Sequence, residues 1–303
     1  MPVSDRRQVV IAVNPHAGAQ ATRIASEHLA SVLRELHFEV TIETDIDKLT
    51  EIATDNPELR CVVAAGGDGT IGLLVNRLPP HTPFTILPQG TENLLAKHLK
   101  IPFEPEAVAA MIAEGISAKL DAGRANGQLF LIMASCGFDA EVVRLVHLAR
   151  EGNISHWAYA KPIFESIRKY KYPTLSIYCD DEKKPVKAKW SFVFNVPRYA
   201  MGLPIADQAD AMDGHLDLCA FRGGNLLNGL LYLVGILLRR HRRWKDTRVE
   251  VLRKIRIEAE APVPYQIDGD PGGFLPLEIE VVPQRLNIIV PKKWAGQHGI
   301  SNT

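Results

Sequence analysis

Three short apolar runs near the N-terminus each end in a loop of small residues and restart as a helix-like segment. This repeated unit constrains the chain more than any other feature. Val9-Val10-Ile11-Ala12-Val13 leads into Asn14-Pro15-His16-Ala17-Gly18. The run Arg60-Cys61-Val62-Val63-Ala64-Ala65 leads into Gly66-Gly67-Asp68-Gly69-Thr70. Phe84-Thr85-Ile86-Leu87 leads into Pro88-Gln89-Gly90-Thr91-Glu92-Asn93-Leu94. Units of this kind predict parallel neighbours in an open α/β sheet, whose ligands bind beyond the carboxyl ends of the strands.

The chemistry of the loops points to a polyphosphate. Glycines let backbone N–H groups approach it closely, and a helix opening at Thr70 favours an anion at its N-terminus. Asp68 would repel a bare phosphate, so on this reading a metal ion or a hydroxyl or amine donor accompanies the ligand. Gly-Gly-Asp-Gly is also good turn chemistry, and the loop alone does not separate the two readings.

Asn-Pro-x-x-Gly, Gly-Gly-Asp-Gly-Thr and Pro-x-Gly-Thr-x-Asn in this order resemble the diacylglycerol kinase catalytic family, which includes bacterial lipid kinases and the sphingosine and ceramide kinases. The likeness continues through Asp121-Ala122-Gly123, Gly137-Phe138-Asp139-Ala140, Asp210-Ala211-Met212-Asp213-Gly214 and Asp268-Gly269-Asp270. It implies an ATP-dependent kinase, with magnesium, that phosphorylates a hydroxyl of a diacylglycerol- or sphingoid-like lipid. The nucleotide would lie across Asn14, Pro15, Gly18, Gly66, Gly67, Asp68, Gly69, Thr70, Gly90, Thr91 and Asn93, in a cleft between domains. The resemblance assigns the general base to Asp268, with Asp270 standing where many relatives carry Glu. It also assigns a structural magnesium to Asp210, Asp213 and the carbonyl of His215, linked to the loops through Asp121. Leu94 follows Asn93 where relatives usually carry Asp, so that network lacks one carboxylate. Two other readings stay open: an NAD kinase, which shares the Gly-Gly-Asp-Gly loop, and a weakly catalytic nucleotide- or lipid-binding regulator.

The first 125 residues alternate strand and helix, with helices expected at Ala19–Leu36, Ile71–Leu78, Leu94–His98 and Glu106–Glu114 and a strand at Glu39–Glu43. Beyond Gly123, strands at Leu129–Ser135, Thr174–Cys179, Trp190–Val196, Leu216–Phe221, Val249–Ile257 and Leu277–Val282 suggest a mainly antiparallel β domain. Helices are inserted near 140–170 and 226–243. The fold expected is therefore an α/β nucleotide-binding domain over 1–125 with a mostly parallel sheet, then a β-rich lipid-binding domain over 126–284. The family resemblance returns residues 285–303, including a strand at Arg285–Val290, to the first domain.

Thirty-five basic and 35 acidic residues balance, so no global field argues for nucleic acid. Cys61, Cys136, Cys179 and Cys219 are scattered and read as reduced core thiols. Met1 to Arg7 lacks the apolar region of a signal peptide, which predicts a cytoplasmic protein. Leu226–Leu238 is strongly apolar but too short to span a bilayer, and Arg239-Arg240-His241-Arg242-Arg243-Trp244-Lys245 comes directly after it. This segment reads either as a core helix with a solvated basic end or as a peripheral contact with an anionic membrane face. Trp157, Tyr159, Phe164 and Tyr170, interleaved with Lys161, Arg168, Lys169 and Lys171, form a second, weaker patch. The family also gives precedent for a homodimer.

Overall fold

The computed structural model describes residues 6–14, 19–151, 168, 170–197 and 203–300. It contains two compact units, Met1–Asp121 with Pro283–Thr303, and Ala122–Val282.

The first unit is built on a parallel sheet. Strands β1 (Gln8–Val13), β2 (Glu39–Glu43), β3 (Leu59–Gly66) and β4 (Pro83–Pro88) alternate with helices α1 (Ala19–Glu35), α2 (Ile46–Ala53) and α3 (Asp68–Arg77). They pair in the order β2-β1-β3-β4, all parallel. On the far side of β4, Asn287 and Ile288 pair in parallel with Pro83 and Phe84. Every residue of β3 is buried, as a central parallel strand requires. Helices α4 (Leu94–His98) and α5 (Pro105–Glu114) come after β4, and β5 (Ser117–Ala125) leads out of the unit. The α2 helix is short, and its N-terminus is held by Asp45, whose carboxylate accepts the N–H groups of Asp47 and Lys48.

The second unit begins with β6 (Gln128–Phe130), β7 (Met133–Gly137) and α6 (Phe138–Glu151). It continues through β8 (Leu175–Cys179), β9 (Val186–Ala188), β10 (Trp190–Phe194), β11 (Leu216–Phe221) and α7 (Leu226–Leu237). Strands β12 (Thr247–Leu252), β13 (Lys254–Ala259), β14 (Pro264–Ile267), β15 (Asp270–Phe274) and β16 (Leu277–Ile289) complete the sequence of sheets. One antiparallel sheet runs β12-β11-β10-β7-β14-β15. A second pairs the start of β16 with β13, then β8 and β9. Ala134, Cys136, Val193, Leu216 and Leu218 from the first sheet share one core with Leu175, Ile177, Ile255, Ile257 and Leu277 from the second. Residues one position out of phase, such as Trp190, Phe192 and Phe194, therefore belong to the opposite face of β10. The four cysteines are free and buried, and burial pushes the Cys61, Cys136, Cys179 and Cys219 thiols up to about 12.

Four expected strands are divided or joined differently. Leu129–Ser135 breaks in the middle, because the N–H groups of Leu131 and Ile132 turn to the Asp268 carboxylate. Val249–Ile257 becomes β12 and β13 in separate sheets, and at the break the Arg253 N–H goes to Asp180. Leu277–Val282 and Arg285–Val290 run together as the single strand β16. After β16, α8 (Lys292–Gln297) buries Trp294 in the first unit.

Candidate functional site

In the first unit the two glycine loops are fastened together at the carboxyl ends of β3 and β4. The Gln89 N–H donates to the Gly66 carbonyl at 3.0 Å. A Cβ on Gly90 would stand 2.4 Å from the Gly67 Cα, so no side chain fits where the loops cross. Asn93 adopts a left-handed conformation (φ 49°) and is buried. Its side chain closes the second loop, accepting the Gly90 N–H at 2.9 Å and donating to the Gly90 carbonyl at 2.7 Å.

Asp68 ties one loop to the other. Its carboxylate accepts the N–H groups of Leu94 (2.9 Å) and Leu95 (3.2 Å), and so caps α4, which has no cap from Asn93. The donors that Asp68 needs thus come from the chain itself. Burial raises its carboxyl above the ordinary value; the two amides, and Lys97 more weakly, oppose that rise, and Glu92 adds to it. Helix α3 begins at Asp68, and its N-cap, Gly67, gives no side-chain hydrogen bond. Gly69 and Thr91 are exposed beside this end, whereas Thr70 is buried. An uncapped helix start between two glycine loops is suited to bind an anion.

Asn14 lies next to a cavity of about 230 Å³ at the carboxyl ends of β1 and β2, lined also by Val13, Thr44, Thr70, Leu73 and Leu74. The β1/β3 neighbourhood is where the strand order reverses direction, the usual ligand position in an open sheet. Its volume falls below the about 300–1,000 Å³ of whole-ligand pockets, so it suits one ring system of a larger molecule. Pro15 and Gly18 lie outside the described residues. Asp121 is buried in this unit and accepts the Gln284 N–H at 2.7 Å.

In the second unit Asp268 and Asp270 flank the β14–β15 turn and have different surroundings. Asp268 (φ 49°) accepts three backbone N–H groups, from Leu131 at 2.7 Å and from Ile132 and Met133 at 2.9 Å. Asp270 is exposed. Beside the turn, Gln266 accepts the Gly269 N–H at 2.8 Å and donates to Ser135 at 3.0 Å, and Ser135 donates to Asp139 at 2.5 Å. Asp210 and Asp213 lie on a separate turn. Each accepts an N–H two residues on, from Met212 (3.0 Å) and His215 (2.9 Å). Asp217 comes next, buried and pushed up to about 6 by burial and by Asp213, against the pull of Arg242 and His215. Among the described residues, no three His, Cys, Asp or Glu side chains gather into a metal-holding group.

Residues 8–125 match the family model described as the diacylglycerol kinase catalytic domain. Residues 132–290 match the YegS C-terminal NAD kinase beta sandwich-like domain. The chain belongs to the diacylglycerol kinase family. Diacylglycerol kinase of Bacillus subtilis is 25% identical over 298 residues, covering 95% of this chain and 97% of the relative. An uncharacterized Synechocystis protein is 26% identical over 76% of this chain, which spans only 54% of that protein. Two Bacillus anthracis structures classed as diacylglycerol kinases superpose over 95% of the chain and 98% of their own, with TM-scores of 0.71 and 0.65 at 20% and 19% identity. An Archaeoglobus fulgidus NAD kinase solved with ATP superposes over 96% of each chain, with a TM-score of 0.55 at 15% identity. These likenesses extend the fold to both units.

Two features beside the candidate residues escaped the sequence reading. The Glu43-Thr44-Asp45 turn borders the cavity beside Asn14, and Glu43 holds it by accepting the N–H groups of Thr44 and Asp45 at 2.8 Å each. Nothing in those residues' order marks them. The Ser135–Asp139–Gln266 network had a signal, since Asp139 sits in Gly137-Phe138-Asp139-Ala140, but its partners lie far apart in sequence. Of the second aromatic–basic patch, Trp157, Tyr159, Lys161, Phe164 and Lys169 lie outside the described residues. Tyr170 packs edge-on against Phe138 at 5.7 Å. Among the described residues, no helix is long and apolar enough to cross a membrane.

Proposed function

We propose that this member of the diacylglycerol kinase family transfers the γ-phosphate of ATP to a hydroxyl of a diacylglycerol- or sphingoid-like lipid. The observation that carries the reading is the fastened pair of glycine loops beside the uncapped start of α3. Gly66, Gly67, Gly69, Thr70 and Thr91 would hold the phosphates, with Gly90 allowing the close crossing of the loops, and Asn14 with Pro15 and Gly18 the nucleoside side. Asp68 and Asn93 act as positioning residues, because their polar atoms are spent on fixing the loops. Phosphoryl transfer then needs charge neutralisation and a proton acceptor.

Asp268 has both carboxylate oxygens engaged by backbone amides, so the acceptor role passes to Asp270. As the lipid oxygen bonds to the γ-phosphorus and the bond to ADP breaks, the hydroxyl proton goes to the Asp270 carboxylate. Magnesium, when bound, would neutralise negative charge. Asp210, Asp213 and the His215 carbonyl are oxygen donors of the hard type it takes, in keeping with a structural ion on that turn. The superposition on an NAD kinase makes NAD the rival acceptor.

The test is transfer of labelled γ-phosphate from ATP to detergent-dispersed diacylglycerol, sphingosine or NAD, with Asp270→Asn as control. A labelled organic-phase product that the variant does not make supports the lipid reading. Label on NAD replaces it with the rival, and ATP binding without transfer to any acceptor points to a regulator.

A further inference from the structure

Helix α7 faces the wrong way for a core helix. Its inward edge is made of Gly229, Tyr232, Gly235 and Ile236. A Cβ on Gly229 would meet the Trp190 ring at 2.6 Å, and one on Gly235 the Trp244 ring at 2.5 Å. The Tyr232 hydroxyl accepts the Gly223 N–H at 2.7 Å and donates to Asp246. Small residues and one tyrosine therefore seat the helix closely, and its leucines are left outside. Leu226, Leu227, Leu230, Leu231, Leu233, Val234, Leu237 and Leu238 are all between 39% and 65% exposed. Scattered exposed leucines need no explanation, but a contiguous face of this size marks an interaction surface.

The basic residues just past the helix select the partner. Arg239, Arg240, Arg242, Arg243 and Lys245 lie within one short stretch of a chain whose net charge is zero. Arg242 and Arg239 approach Asp207 at 3.4 and 4.0 Å. Arg240, Arg243 and Lys245 carry no ion pair among the described residues. A face of leucines with a cationic end complements acyl chains below anionic headgroups. Twelve residues rise about 18 Å, short of the about 30 Å hydrocarbon core, so such a helix lies in the surface and does not cross it.

We infer that α7 and its basic end are a docking surface for an anionic lipid bilayer. The inference deepens the lipid-kinase reading and rests on it for its purpose, since it brings the enzyme to the phase that holds its acceptor. Leu231 and Leu238 serve for the test, since they lie outside the catalytic machinery and their exposure lets a polar side chain be tolerated.

The full chain is sedimented with vesicles of phosphatidylcholine alone and with about a quarter phosphatidylglycerol, alongside Leu231→Glu/Leu238→Glu and Arg240→Gln/Arg243→Gln. Wild type is expected to bind the anionic vesicles, with affinity falling as salt rises. The leucine variant should bind at least about tenfold more weakly. The arginine variant should lose most of the salt dependence. Circular dichroism and light scattering confirm fold and mass. Equal binding by wild type and the leucine variant overturns the inference. So does a wild-type dimer that the leucine variant breaks, which would make a second copy the occupant. Transfer to a detergent-dispersed acceptor separates the two hypotheses: docking alone fails if binding is wrong but transfer persists, and the kinase reading fails if no variant or wild type transfers at all.

Discussion

Asp268 and Asp270 are two residues apart, and the backbone around them gives them different surroundings, three amides on Asp268 and solvent on Asp270. Removing the Asp268 carboxylate strands the three amides of Leu131, Ile132 and Met133. Asp268→Ala is therefore expected to lower stability by about 2–4 kcal/mol, read from urea denaturation. Asp270→Asn, at an exposed position, should stay within about 0.5 kcal/mol of wild type and yet cut phosphoryl transfer at least about a hundredfold. If instead Asp268→Asn kept its fold and lost only transfer, the roles would be reversed. The order of residues showed that two carboxylates flank a glycine. It could not show which one is spent on amides, because the donors come from a segment far upstream.

At the scale of elements, the glycine loops were legible because the strands before them are short, apolar and bounded by turn residues. The ties between elements were not. Asp68 caps α4 across the gap between two loops, and Arg60 does the same for α5. Arg60 sits inside the apolar run of β3 and is almost wholly buried. Its guanidinium donates to the Ile112 carbonyl at 2.7 and 3.0 Å and to Ala113 at 2.8 Å, at the C-terminus of α5. There a cation also meets the negative end of the helix dipole. The left-handed Gly115 (φ 67°) admits it, since a Cβ there would fall 1.9 Å from a guanidinium nitrogen. Arg60→Met keeps the apolar stem and removes the donors, leaving buried carbonyls unpaired. The expected cost is about 2–3 kcal/mol, measured as a shift of the urea midpoint. A smaller loss than about half a kcal/mol would mean that water reaches those carbonyls.

For the whole molecule, balanced charge conceals local imbalance, and pH brings it out. Asp210, Asp213 and Asp217 crowd one turn and the strand next to it. Asp217 is raised from the ordinary 3.8 to about 6, first by burial and then by Asp213, with Asp210 adding less and Arg242 and His215 opposing. A folded value above the unfolded one means that the native state holds this proton more tightly between about pH 4 and pH 6. The stabilisation from protonated Asp217 is thus complete below about pH 4 and lost as pH rises through about 6, leaving a buried charge at neutrality. Asp217→Asn carries no such charge. Discounting for solvent screening, it should be more stable than wild type by about 1–2 kcal/mol at neutral pH, with the advantage gone near pH 4. Urea unfolding of both proteins at the two pH values, with chelator present, measures the difference. An advantage that persists unchanged near pH 4 would assign it to packing and not to charge. Repeating the neutral-pH pair with magnesium in place of chelator then asks what the turn is for. If Asp210 and Asp213 hold a cation, as proposed, it would offset the same charge, and the gap between wild type and Asp217→Asn should then narrow as magnesium is added.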